Sequence, residues 1–131
     1  MVSENMKDLT WLVLRLTAGV VFLIAGLGKL FWGAAPPVEK VLPFLPAPTT
    51  ILLLGLLEVV VGVLVMVGLL TKIASSAAVV LYVIFIVSGI ALGMFQAAGL
   101  LKDVALLGGM LALAVFGAHT YSVDAWLAKK K

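Results

Sequence analysis

The stretch Ile51–Leu70, ILLLGLLEVVVGVLVMVGLL, decides the fold. Its twenty residues carry one charge, Glu58, near the middle. As a helix it is about 30 Å long, the thickness of the hydrocarbon layer of a bilayer. A carboxylate at that depth costs roughly 2.5–3.5 kcal/mol on insertion scales if ionised, so it faces a partner or a cavity. Gly55 and Gly62 share its helix face, which lets a second backbone approach closely or leaves space beside the carboxylate. The remaining segments read as helices arranged to cover Glu58.

Composition agrees. The chain has 131 residues, 64% hydrophobic and only 11% charged, against about 25% charged in a soluble domain. The expected class is all-α: one integral membrane four-helix bundle over residues 1–131, with the lipid bilayer as its partner. The net charge of +3 is too small and scattered for a nucleic-acid groove, so no nucleic-acid partner is expected. Cysteine is absent, which excludes thiolate metal sites and a thiol relay within the chain. With a single histidine, His119, one chain cannot ligate haem through two histidines. No metal site is expected, and no covalently bound cofactor.

Outward from the opening stretch, four helices are expected at about 9–31, 50–70, 73–95 and 101–118. The first apolar run, interrupted by Arg15, is too long for the core of a signal peptide and reads as a mature helix. Along it Arg15, Ala18, Gly19, Phe22, Gly26 and Lys29 share one face. Arg15 and Lys29 lie about 21 Å apart along the axis. Residues 32–49 hold all five prolines, yet Val38, Val41, Leu42, Phe44 and Leu45 are apolar. Such a connection is expected on the membrane interface or over the bundle mouth. Thr71 and Lys72 form the turn between helices 2 and 3. Gly89 and Gly93, and then Gly108, Gly109 and Gly117, are expected at helix contacts. The tail 122–131 reads as a short interfacial helix, with Ser122 or Asp124 as its cap and Trp126 and Leu127 ahead of three lysines. Basic residues on alternate sides place both termini in the cytoplasm of a cell (plasma or inner) membrane.

Depth and sign suggest two ion pairs: Lys29 with Asp103 at the outer edge, and Arg15 with Asp124 at the inner one. Glu58 then lies between two cations, or is protonated if neither reaches it. Glu58, Lys29 and Asp103 are the candidates for ligand binding or proton handling, and Arg15 and Asp124 the candidates for a structural pair. Tyr82, Gln96 and His119 are further polar members, with His119 expected at a helix end.

Four segments in this order resemble the DoxX family of small four-helix membrane proteins: LRLTAGVVFLIAGLGKL, LLGLLEVVVGVLVMVGLLTKIA, LKDVALLGGMLALAVFG and YSVDAW. Arg15, Lys29, Glu58, Lys102, Asp103 and Asp124 stand within or beside them. The family often has Gly-x-Gly before a final Ser-Leu-Asp. Here residues 117–124 read GAHTYSVD. The resemblance implies a plasma-membrane bundle similar to the DoxD-type membrane subunit of thiosulfate:quinone oxidoreductase. Other members are tied to membrane oxidoreductase complexes in oxidative and thiol stress. A quinone ligand and an oxidoreductase partner subunit are therefore the first functional expectation. A non-catalytic scaffold or assembly subunit is the alternative. A small-molecule or ion carrier, which needs a homo-oligomer to enclose a path, stands third.

Overall fold

The computed structural model describes residues 3–32, 44–91, 93 and 98–130. Among them the chain is helical and contains no strand. The elements are α1 (Glu4–Phe31), α2 (Ala47–Val67), α3 (Thr71–Ala91), α4 (Ala98–Phe116) and α5 (Val123–Lys129). The first three long helices are long and apolar enough to cross a membrane. α1 begins five residues before its expected start, because Ser3 accepts the Met6 amide as an N-cap and adds a polar turn. α2 also starts early. Pro48 falls in its first turn, where a missing N–H costs nothing.

α1 and α2 form a tight antiparallel pair. A Cβ built on Gly26 would lie 2.7 Å from the Gly55 carbonyl, and one on Gly62 would lie 2.9 Å from the Gly19 carbonyl. The two backbones therefore meet through glycines spaced seven residues apart on each helix. The expected approach at Gly55 and Gly62 is made by α1. α3 and α4 form the second antiparallel pair, and α1 and α2 close against it. One end of the bundle, the near end, holds the start of α1, the α2–α3 turn and α5. The other is the far end.

Of the other glycines expected at contacts, Gly93 and Gly108 depart from the expectation. Gly93 lies beyond α3 with φ +71°, and open space surrounds the position of its Cβ. Gly108 also faces open space, whereas Gly109 meets only the Leu14 side chain. Gly117 ends α4 in the left-handed region, with Lys72 folded across it.

The core holds Ala18 and Phe22 of α1, Leu54, Val61 and Val65 of α2, Ala74, Ala78 and Leu81 of α3, and Met110 and Leu113 of α4. The outward faces are apolar too. Leu52, Val60 and Val67 of α2 and Ile73, Val80 and Val87 of α3 are exposed. A helix apolar on both faces suits lipid rather than water, and these faces are where the bilayer is met.

Candidate functional site

Among the described residues Arg15, Thr50, Glu58, Thr71 and Ser75 are buried polar or charged side chains. Glu58 anchors a cluster towards the far end of the bundle and Arg15 one towards the near end.

The far cluster is built on Glu58. Gly55 and Gly62 flank it on α2 and bring α1 against that face. Lys29, three residues after Gly26, lies beside it: Lys29 Nζ donates to Glu58 Oε2 at 2.8 Å. Glu58 is 2% exposed and the Lys29 side chain 10%, so this is a buried pair. The Lys29 ammonium also lies 5.9 Å from the centre of the Phe85 ring on α3. α4 contributes Lys102 and Asp103, whose Nζ and Oδ1 are 3.9 Å apart. Both act on Glu58 through their charge.

Tyr82 completes the cluster from α3. It is 2% exposed, and its ring meets Phe22 edge to face with centroids 5.1 Å apart. It lies within electrostatic reach of both Glu58 and Asp103. Its hydroxyl is buried and has no hydrogen-bond partner among the described residues. The cluster thus joins two ammonium groups, two carboxylates and a phenol from all four long helices. Phe22, Phe85, Leu54 and Leu81 supply apolar neighbours. Such a set can donate a hydrogen bond to a carbonyl oxygen and take a proton from a hydroxyl.

The predicted pairing of Lys29 with Asp103 does not form. Both lie in the far cluster, but Lys29 takes Glu58, and Asp103 has Lys102 beside it. Side chains on a helix lean towards its N-terminus. α1 and α2 are antiparallel, so Lys29 leans towards the bundle centre and Glu58 towards the far end, and their charges converge. Asp103 leans away from the ammonium. Nor does Glu58 lie between two cations of α1, since Arg15 belongs to the other cluster.

That near cluster ties the tail to the body. Arg15 is fully buried, and its Nη2 donates to the Tyr121 carbonyl. The guanidinium packs against Gly68, whose φ of +74° ends α2. Arg15 and Asp124 do not form a direct ion pair. Asp124 is near enough to act on the guanidinium through charge, but its oxygens are committed elsewhere. Oδ1 accepts the Leu70 amide at 2.8 Å and Oδ2 the Thr71 amide at 2.9 Å. The Asp124 amide in turn donates to the Gly68 carbonyl at 2.8 Å. α5 itself is capped by Ser122, as one of the two expected alternatives had it. His119 sits beyond the end of α4 with φ 62° and stacks on Trp11 at 4.4 Å. Gln96, and residues 33–43 of the proline-rich connection, lie outside the described residues.

Sequence reasoning overlooked Thr50 and Phe85 and did not foresee the Tyr121 carbonyl as a partner for Arg15. Phe85 had a signal: it lies three residues after Tyr82, on the same α3 face.

The family model for DoxX matches residues 10–91, well over half of the chain. It spans Arg15, Lys29, Glu58 and Tyr82. The chain belongs to the DoxX family. No curated protein and no solved structure matches it. Within this DoxX protein the matched region contains the glycine contacts between α1 and α2 and the buried Lys29–Glu58 contact.

Proposed function

We propose that this DoxX protein is the membrane subunit of a quinone-linked oxidoreductase system, and that it binds a quinone, or a small apolar ligand with the same carbonyl chemistry, at the far cluster. The observation that carries the reading is the Lys29–Glu58 pair at 2.8 Å inside an apolar bundle, with the unpartnered Tyr82 hydroxyl and Asp103 close by. Burying an ion pair is seldom a gain in stability over apolar residues of the same size. Ionisable groups at membrane depth mark ligand and proton paths.

The chemistry fits a quinone head group. Lys29 and Tyr82 are donors suited to its carbonyl oxygens, and Glu58 and Asp103 are acceptors suited to the hydroxyls of the reduced form. Phe22, Phe85 and Leu54 give the ring apolar neighbours. Reduction takes two electrons and two protons per quinone. The chain's own residues handle the protons, and the electrons come from a partner oxidoreductase subunit.

The test is to purify the protein in mild detergent, extract it and measure bound quinone by mass spectrometry. Added ubiquinone or menaquinone is then titrated by quenching of tryptophan fluorescence. We expect saturable quenching that Glu58→Gln and Lys29→Met weaken roughly tenfold each, the scale of one buried hydrogen bond. No extracted quinone and no saturable quenching would overturn the proposal and favour the assembly-subunit alternative.

A further inference from the structure

The near end carries a second feature that the far cluster does not use. A groove of about 570 Å³ lies between the first turn of α3, the end of α4 and one face of α5. Lys72 and Lys129 line it, with Ile73, Phe116, His119 and Asp124. Lys72 crosses from α3 towards α4: a Cβ placed on Gly117 would come within 3.2 Å of its Cε. Among the described residues neither Lys72 nor Lys129 joins an ion pair. The one carboxylate in the lining, Asp124, already accepts the Leu70 and Thr71 amides. Its charge sits at the positive end of α3, and neither ammonium group lies within ion-pair distance of it.

The position of the groove defines what can fill it. It opens where two long apolar helices end, at the depth of lipid headgroups. On its bilayer side Ile73 and Phe116 are 68% and 63% exposed. Val80, seven residues beyond Ile73 on the same α3 face, continues the apolar surface. Beyond the groove Trp126 lies under the Lys130 ammonium at 4.0 Å, an aromatic and cationic arrangement suited to the interface. Cations at headgroup depth with an apolar track above them match a phosphodiester that carries acyl chains.

We propose that this groove binds one anionic phospholipid, with Lys72 and Lys129 on the phosphate and the acyl chains along Ile73, Val80 and Phe116. A headgroup without its own amine, such as phosphatidylglycerol, fits best. A zwitterionic headgroup brings a cation that competes with the two lysines. The site is separate from the far cluster and does not depend on what binds there.

Native mass spectrometry of the purified full-length protein tests it, with phosphatidylglycerol and phosphatidylcholine offered in equal amounts. Wild type should retain one phosphatidylglycerol in preference to phosphatidylcholine. Lys72→Gln and Lys129→Gln should each lower that retention about fivefold, the effect of one lysine at an anionic surface. Lys7→Gln, an exposed lysine outside the groove, should leave it unchanged. A thermal shift on adding phosphatidylglycerol, seen in wild type and lost in the double variant, provides a second reading. Equal retention of both lipids, or equal losses in all three variants, would overturn the site. Inorganic phosphate that displaces the lipid and gives the same thermal shift would overturn the lipid assignment in favour of a free-phosphate site.

Discussion

Asp124 accepts the Thr71 amide at 2.9 Å, so α5 supplies the cap that α3 lacks in its own sequence. Leu70, the residue before α3, has φ 51°, a conformation that costs a leucine energy. The second Asp124 oxygen holds its amide in place. Asp124→Ala should destabilise the bundle by about 0.5–2 kcal/mol, the range for a lost N-cap. Asp124→Asn, with one acceptor in place of two, should fall between. Thermal unfolding in detergent gives the size, and amide hydrogen exchange gives the place: Leu70 and Thr71 should exchange faster, with Val61 and Phe22 little affected. Uniformly faster exchange would show that Asp124 acts through something broader than the cap.

Removing one partner of the Lys29–Glu58 pair leaves the other charge buried. Lys29→Met should therefore cost roughly 3–5 kcal/mol. Lys29→Met with Glu58→Leu should recover most of that loss, because no lone charge remains. Lys29→Met with Asp103→Leu should recover little. A double-mutant cycle on unfolding midpoints compares the two combinations. Equal recovery by Asp103→Leu would return Lys29 to the partner that depth alone suggested.

That contrast marks what could be read from the sequence. Length, hydropathy and the spacing of Gly55, Glu58 and Gly62 fixed the central helix and its crowded face. Charge spacing also placed Lys29 and Asp103 at the same outer depth, with Glu58 deeper in the bundle. Depth is one coordinate, however, and pairing also depends on the direction in which a side chain leans. The antiparallel course of α1 and α2 turns Lys29 and Glu58 towards each other, and that follows from packing. At the near end, opposite sign suggested a bond between Arg15 and Asp124. Backbone groups took both side chains instead: the Tyr121 carbonyl on one side, and the Leu70 and Thr71 amides on the other. Main-chain partners of this kind leave no trace in residue identity. Gly108 of α4 misled for a related reason, since a glycine permits a close approach without requiring one.

The glycines can be separated by one substitution each. Gly62→Ala would place a Cβ 2.7 Å from the Leu23 amide nitrogen and 2.9 Å from the Gly19 carbonyl. Both neighbours are backbone and cannot rotate aside, so α1 and α2 must separate, at a cost of about 1–3 kcal/mol. Gly108→Ala meets nothing within 4 Å and should stabilise α4 by about 0.5–1 kcal/mol through helix propensity. The two variants should move the unfolding midpoint in opposite directions. A Gly62→Ala protein as stable as wild type would mean that the two backbones are farther apart than the structure places them.

Tyr82→Phe separates a structural role of the far cluster from a binding role. The ring packs against Phe22, and phenylalanine keeps that contact. The substitution removes only a buried hydroxyl that has no partner among the described residues. Loss of an unpaired buried polar group relieves a penalty of about 1–3 kcal/mol. Without ligand, Tyr82→Phe should therefore be at least as stable as wild type. With a quinone, the balance should reverse: a hydroxyl that donates to a ligand carbonyl offsets its own burial only when the ligand is bound. Affinity should then fall roughly tenfold. Unfolding midpoints with and without added quinone measure both effects on one sample. A variant less stable without ligand would show that the hydroxyl already has a partner inside the bundle. Unchanged affinity would remove Tyr82 from the binding set and leave Lys29, Glu58 and Asp103 to carry it.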